Sequence, residues 1–131
     1  QGTTFTPVSH VALAVEGHAD VLQEMPLILD TLKPLEARLT VLHVSKPGEA
    51  TSELKHQLEQ DFSRFDKTRV EMIEDDDVEE ALMEYAATHK VDILALIFKN
   101  DSFWDSLFNR SITKRILFQA EMPVLSLPFR P

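Results

Sequence analysis

The segment at residues 97–111, IFKNDSFWDSLFNRS, combines side chains that could hold an anion. It follows an apolar run and precedes a helical pattern, and a helix that begins near Ser111 would offer backbone N–H groups and a partial positive charge. Four basic and two acidic residues lie between positions 99 and 115, a local excess of +2 in a chain of net charge −9. The basic residues are Lys99, Arg110, Lys114 and Arg115. The chemistry would be anion binding by side chains, and the alternative is a solvated helix start with ordinary ion pairs.

Other chemistry has weaker support in the sequence. The acidic run EDDD at 74–77 could attract a divalent cation, but an acid-rich helix start needs no metal. No two of the five histidines lie four residues apart on one helix, so no metal site is predicted. His43 is interpreted as structural, and His18 flanks the expected cleft. Because no nucleophile–base pair is apparent and cysteine is absent, we do not expect an enzyme.

Length and charge limit the class of protein. A chain of 131 residues predicts one domain, at 9–131, preceded by a polar tail or linker at 1–8. The charge of −9 argues against nucleic acid and anionic membranes as partners. No apolar run approaches the ~20 residues that span a bilayer. The absence of cysteine fits a cytoplasmic protein.

The hydrophobic pattern alternates strands with helices. Strands are predicted at 10–17, 38–45, 68–74, 91–98 and 122–128, and the third is expected to be the more exposed one. Helices are predicted at 18–37, 52–65, 76–90 and 110–120. Pro26 should kink or delay the first helix, and Asp77 should cap the third. This β-α-β-α-β-α-β-α-β order predicts an α/β protein with an open, doubly wound parallel sheet of five strands.

In such a sheet a ligand binds beyond the carboxyl ends of the strands, where the strand order reverses. The sequence places four short stretches there. They are Glu16-Gly17-His18, Val44-Ser45-Lys46, 74–77 and 97–111.

The strings VALAVEG, ARLTVLHV, VDILALIF, RSITKRIL and MPVLSLP, in this order and spacing, resemble the universal stress protein family over residues 8–128. The resemblance implies a Rossmann-like fold of the adenine nucleotide alpha-hydrolase type with strand order 3-2-1-4-5. Nucleotide-binding members carry an Asp after the first strand and a Gly-2x-Gly-9x-Gly-Ser/Thr motif after the fourth. Glu16 replaces that Asp here, and Ile97, Asn100 and Arg110 replace the three glycines. Only Ser111 is kept.

This departure predicts a degenerate ATP site, and no cofactor is expected. Glycine permits positive φ and close approach of a phosphate to the backbone. Asn100 tolerates left-handed φ, whereas a β-branched Ile97 would be a steric outlier there and Arg110 would occupy the space of phosphate oxygens. The candidate ligand or anion positions are Glu16, Gly17, Val44, Ile97, Asn100, Arg110, Ser111 and Lys114.

The leading hypothesis is a non-enzymatic stress-response module that acts through protein contacts, including a regulatory partner. The alternative is a small-molecule sensor that binds a nucleotide or another anion in a rebuilt pocket. The resemblance implies a homodimer or a tandem-domain pair formed through the last strand, at Pro123, Val124, Leu125, Ser126 and Leu127. Trp104 and its aromatic neighbours would either pack over the cleft or form a partner surface.

Overall fold

A computed structural model describes residues 8–97 and 124–126 of the chain. Three α-helices and five strands are present in this part, joined by one short 3-10 helix. The strands are β1 (His10–Val15), β2 (Arg38–Ser45), β3 (Thr68–Glu74), β4 (Ile93–Ile97) and β5 (Val124–Ser126). The α-helices are α1 (His18–Leu32), α2 (Ser52–Asp61) and α3 (Val78–Thr88), and the 3-10 helix is Lys33–Leu35.

All strand pairs are parallel, and the sheet order is β3-β2-β1-β4-β5. The predicted α/β class and strand order are therefore confirmed. The order reverses between β1 and β4, where Val15 pairs with Ile97. Because the strands are parallel, their carboxyl ends share one edge of the sheet and their amino ends share the other. We call these the carboxyl edge and the amino edge.

The sheet separates two apolar clusters. On one face, α1 and α2 place Val21, Ile28 and Leu58 against one set of alternating β1 residues, and Phe62 is 1% exposed there. On the other face, α3 contributes Leu82 among others against the alternate β1 residues. All six β1 residues are buried, which explains why its sequence is a continuous apolar run after His10. The edge strand β3 is more exposed, as its alternating sequence predicted.

Pro26 does not delay α1. The helix begins at His18 and contains Pro26 in its interior, so the expectation of a late start is wrong. Pro26 is exposed, while Val21, Met25 and Ile28 on the opposite side are buried. Burial of an apolar face stabilises a helix more than the propensity of a single residue does, and here it overrides the proline.

The second helix is shorter than its apolar period suggests. It ends at Asp61, whereas the pattern predicted 52–65. Phe62 and Phe65 keep helical spacing, but their rings contact each other with centroids 5.8 Å apart, and Phe65 N–H donates to the carbonyl of Phe62 at 3.0 Å. The chain therefore turns here, and the turn leads into Thr68 at the start of β3.

Two non-glycine residues among those described have positive φ, Glu36 at 53° and Lys90 at 52°. Both end a helix on the amino edge. Lys90 follows α3, and the next residue, Val91, donates its N–H back to the carbonyl of Ala86 at 3.3 Å. This 6→1 hydrogen bond, from Val91 to Ala86 and enclosing the left-handed Lys90, is characteristic of the Schellman motif. It directs the chain from α3 into β4.

Candidate functional site

The carboxyl edge brings together the predicted site residues that lie in the described part of the chain. Glu16 and Gly17 follow β1, Val44 is the penultimate residue of β2, and Ile97 ends β4. Because Val15 pairs with Ile97, Glu16 directly follows the point where the strand order reverses. Asn100, Arg110, Ser111 and Lys114 lie outside the described residues, as do Pro123, Leu127 and Trp104.

Ile97 is a regular strand residue. It is 0% exposed and packs in the α1–α2 cluster. Its φ is not positive, because only Glu36 and Lys90 among the described non-glycine residues have positive φ. The β-branched side chain is therefore accommodated by extended backbone, and the steric outlier considered from the sequence does not arise. A buried Ile side chain at this position presents no bare backbone to a phosphate.

Gly17 is the N-cap residue of α1 and has extended backbone, with φ −163° and ψ 171°. No heavy atom lies within 4 Å of the place where a Cβ would stand. Neither conformation nor space therefore requires glycine here. The cap also provides no side-chain hydrogen bond, so the first N–H groups of α1 lack this acceptor.

His18, the first residue of α1, is held by a carboxylate of α2. Its Nδ1 lies 2.6 Å from Asp61 Oδ2, and the two side chains are 32% and 9% exposed. Asp61 is the last residue of α2, where a negative charge is unfavourable for the helix, and a cationic His18 would be equally unfavourable at the start of α1. The contact thus joins the two helices at a cost to each helix end. Sequence reasoning did not pair these residues, because they are 43 positions apart.

The acids that follow β3 cap backbone groups. Asp77 Oδ1 accepts the Glu80 N–H at 3.1 Å, which confirms the predicted cap of α3, and Asp75 Oδ1 accepts the Asp77 N–H at 2.8 Å. Glu74 Oε2 lies 3.4 Å from the Gly48 nitrogen. Within residues 8–97 and 124–126, no group of three or more His, Asp or Glu side chains is arranged to hold a metal ion.

In the three turns of the carboxyl edge that the structure describes, the electrostatics disfavour a polyphosphate. Residues 16–17, 46–51 and 74–77 contain six acids and one base, Lys46. These acids neutralise the partial positive charges of the helix N-termini at the same edge. His43 Nδ1 donates to the carbonyl of Val15 at 3.1 Å and so links β2 to β1.

The amino edge contains a hydrogen-bonded polar cluster that sequence reasoning missed. His10 and Thr40 are buried in it, Asp92 is partly buried and Ser9 is exposed. Asp92 Oδ2 accepts the N–H groups of Ser9 and His10, each at 2.9 Å, and the Ser9 hydroxyl at 3.0 Å. The His10 Nε2 lies 2.9 Å from Thr40 Oγ1, and its Nδ1 donates to the carbonyl of His89 at 3.2 Å. A signal was available in the sequence, since a His that opens an apolar strand requires polar partners.

Burial and hydrogen bonding shift three pKa values in this cluster. Burial lowers the pKa of His10 below 6.5. The hydrogen bond from the Ser9 backbone lowers the pKa of Asp92 below 3.8 more than burial raises it. Burial raises the pKa of Tyr85 above 10.0. The cluster therefore favours a neutral His10 and an ionised Asp92 at neutral pH.

No protein-family model and no curated protein matches the chain. Solved structures do match. A universal stress protein family structure from Burkholderia pseudomallei is 20% identical, with a TM-score of 0.62, over 96% of this chain and 100% of that one. Universal stress protein UspA from Lactobacillus plantarum is 13% identical, with a TM-score of 0.64, over 95% of this chain and 100% of that one.

A third match is a universal stress protein solved in complex with cAMP. It is 13% identical, with a TM-score of 0.67, and the match covers 93% of this chain and 98% of that one. At these identities the likeness establishes the fold. The chain has the Rossmann-like fold of universal stress proteins, as its strand strings predicted. No helix in the described ranges is long and apolar enough to cross a membrane.

Proposed function

We propose that the protein is a non-enzymatic stress-response module that acts through protein contacts in the cytoplasm and whose ATP site is degenerate. The strongest support is the composition of the carboxyl edge at the point where the strand order reverses. Ile97 is fully buried there, Glu16 is acidic, and the surrounding turns carry six acids against one base. The chain's three glycines, at positions 2, 17 and 48, all lie outside the 97–111 segment.

The test is thermal unfolding with and without millimolar Mg-ATP, ADP, AMP and cAMP, with inorganic phosphate as the control. A ligand present at ~100 times its dissociation constant stabilises the native state by about 2.7 kcal/mol, which corresponds to several degrees in a domain of this size. We expect no nucleotide-specific shift. A shift specific to ATP would overturn the proposal of a degenerate site.

The same samples test for enzymatic activity. We expect phosphate release from Mg-ATP to stay at the rate of the protein-free control over hours. Release that scales with protein concentration, and that survives a second purification step, would contradict a non-enzymatic role. Removal of a contaminating hydrolase by that second step would leave only the control rate.

A second candidate function is a sensor that binds a nucleotide or another anion in a rebuilt pocket. It is favoured by the cAMP complex of one structural neighbour and by the local excess of +2 between residues 99 and 115. In this case the anion would be contacted by Arg110, Ser111, Lys114 and Asn100. Glu16 would accept a hydroxyl or amine proton of the ligand. Arg110→Ala would then abolish a ligand-induced thermal shift that the wild type shows. If Arg110 instead fills a former phosphate position, Arg110→Gly would leave binding absent or create it.

A further inference from the structure

A cavity of about 680 Å³ opens at the amino edge, on the face of the sheet covered by α1 and α2. It lies between the end of α1 and the turn that joins α2 to β3. The carboxyl edge, where the candidate nucleotide site lies, is at the other end of the strands. The cavity is therefore separate from the site discussed above, and an inference about it stands independently of the proposed function.

The floor of the cavity is apolar. Val11, Leu32 and Leu39 line it and are 2%, 4% and 3% exposed. Leu29 and Phe65 also line the cavity and are half-buried. A volume of several hundred Å³ is characteristic of small-molecule sites. The apolar floor of the cavity suits the hydrocarbon part of a ligand.

The rim carries three acids and three bases that form no ion pair with another described residue. The six charged residues that line the cavity are Asp30, Lys33, Glu36, Arg64, Asp66 and Lys67. All six are exposed. Among the described residues the ion pairs within 4.0 Å are His18–Asp61 and Arg69–Glu71, so none of the six is paired. Their charges are therefore available to a ligand.

The distribution of charge along the strands favours an anion at this edge. The turns of the amino edge, at 33–37, 62–67 and 89–92, contain four bases and three acids, whereas those of the carboxyl edge contain one base and six acids. Arg38 adds one base at the amino end of β2, whereas the charge of Arg69 in β3 is balanced by its ion pair with Glu71. Among the turns that the structure describes, an anion is thus repelled less at the amino edge than at the carboxyl edge.

The lengths of the charged side chains on the rim also favour an anion. Lys and Arg have long, adaptable side chains that can follow a ligand head group, and the Arg64 guanidinium can bind a carboxylate or phosphate through two hydrogen bonds. Of the three acids on the rim, Asp30 and Asp66 have short side chains that keep their charge close to the backbone, whereas Glu36 is one methylene longer. Lys33 and Arg64 also follow the carboxyl ends of α1 and α2, where a positive charge stabilises the helix. An experiment must therefore distinguish ligand binding by these bases from their effect on helix stability.

We propose that the amino-edge cavity binds an amphipathic anion, in which an apolar body contacts Val11, Leu29, Leu39 and Phe65 and a single carboxylate or phosphate head group binds Arg64 and Lys67. This would give the protein a ligand site that does not depend on the carboxyl edge. It also gives a role to the unpaired bases on the rim.

The test is isothermal titration calorimetry of the full chain with octanoate, 1-octanol and octylamine, three probes with the same hydrocarbon chain. We expect octanoate to bind at least about 10-fold more tightly than 1-octanol, and octylamine to bind most weakly. One charge-assisted contact of this kind accounts for roughly a 10-fold change in affinity. Equal affinity for the three probes would overturn the anion preference, and the absence of binding for all three would overturn the site.

Variants separate ligand binding from helix-end effects. Arg64→Ala and Lys67→Ala should each weaken octanoate binding about 5- to 10-fold and leave 1-octanol binding unchanged. Lys55→Ala, an exposed base of α2 that does not line the cavity, is the matched control and should bind octanoate like the wild type. An equal loss in Lys55→Ala would indicate a general charge effect and overturn the assignment.

A fourth variant tests the cavity itself. Ala37 is half-buried and lines the cavity, so Ala37→Trp should fill it and abolish the binding of octanoate and 1-octanol together. Ala37→Met, a smaller change, covers the case in which the Trp variant does not fold, and it should weaken binding in proportion to the volume that it fills. Undiminished octanoate binding by a folded Ala37 variant would overturn the location.

Discussion

Lys90 occupies a backbone conformation that glycine adopts at no cost. Its φ of 52° lies in the left-handed region, and the Val91–Ala86 hydrogen bond requires that conformation. A left-handed residue with a Cβ costs roughly 1 kcal/mol relative to glycine. Lys90→Gly should therefore raise the free energy of unfolding by about 0.5–1 kcal/mol, measured from the urea midpoint.

Lys90→Ala is the control for loss of the lysine side chain. It keeps the Cβ and should change the free energy of unfolding by less than about 0.5 kcal/mol. Glu36→Gly repeats the test at the other described residue with positive φ, at 53°. If Lys90→Gly proved no more stable than Lys90→Ala, left-handed strain would not be the reason.

Asp92 makes stability depend on pH. Its pKa is lower in the folded protein than the ordinary 3.8, chiefly through the Ser9 backbone hydrogen bond. The stabilisation it supplies is therefore complete above pH 3.8 and is lost as pH falls through the folded pKa. Asp92→Asn should lower the free energy of unfolding by roughly 1–2 kcal/mol at pH 7, and this difference should shrink towards pH 3.

Urea unfolding of both proteins at pH 7, 5 and 3 measures that difference. His10, whose pKa is also lowered, adds a loss of wild-type stability as pH falls below 6.5. The Asp92 charge acts against that lowering, so Asp92→Asn increases the His10 loss below pH 6.5, and the comparison at pH 5 and 3 contains both effects. Glu84→Gln, a change in an exposed carboxylate of α3, is the control and should show no such trend. A constant Asp92→Asn difference across the three pH values would contradict the linkage.

At the scale of the element, Pro26 lowers the stability of α1. Pro26 has no N–H to donate to the carbonyl of Leu22, and Leu22 is 53% exposed on the same helix. A proline inside a helix is about 3 kcal/mol less favourable than alanine, partly offset by a stiffer unfolded chain. Pro26→Ala should therefore increase the free energy of unfolding by about 1–3 kcal/mol.

The measurement is again the urea midpoint, with Asp30→Ala as the control on the same helix. Asp30 is exposed, so its substitution should change the free energy of unfolding by less than about 0.5 kcal/mol. An unchanged or lower stability of Pro26→Ala would show that α1 packs in a shape that only the proline supports.

Periodicity predicted which elements exist, and packing decided where two helices begin and end. β2 and β3 match their predicted limits at every residue because turn residues flank their apolar and β-branched runs. For α1 the prediction left a kink or a late start open at Pro26. The helix begins at His18 because Val21 and Ile28, which the apolar spacing had placed on one face, are buried on the side opposite the proline. Phe65 misled the prediction because a buried aromatic at helical spacing can equally well belong to a turn.

At the scale of the whole molecule, β5 is an outermost strand of the described sheet. This strand pairs with β4, and no described strand lies on its other side. The homodimer or tandem-domain pairing expected through the last strand is a prediction that this geometry permits. Successive N–H groups of a strand point to opposite sides, so Leu125→Pro and Ser126→Pro remove one donor facing β4 and one facing outward.

We expect one of these two variants to fold normally and sediment as a monomer in analytical ultracentrifugation, while the other loses stability. The wild type should sediment as a dimer. Ser126→Ala, which keeps its N–H, is the control and should remain dimeric. A monomeric wild type would remove the case for homodimers, and two dimeric proline variants would place the dimer interface elsewhere.

Topology also explains how much of the candidate site was predictable. The carboxyl edge follows from the β-α alternation alone, so Glu16, Gly17, Val44 and Ile97 were placed at it correctly before any coordinates. The His18–Asp61 contact and the amino-edge cavity were not predictable, because both depend on how α2 crosses α1. Nothing in the local sequence of either helix encodes that crossing.

The unequal charge of the two sheet edges also gives the described part of the molecule an electric dipole moment along its strands. A positively charged surface would attract the carboxyl edge, because its described turns contain six acids and one base. On an anion-exchange resin, the charges of the described turns favour one orientation of the adsorbed protein. The carboxyl edge would face the resin, and the amino-edge cavity would stay open to the solvent even while the protein is immobilised.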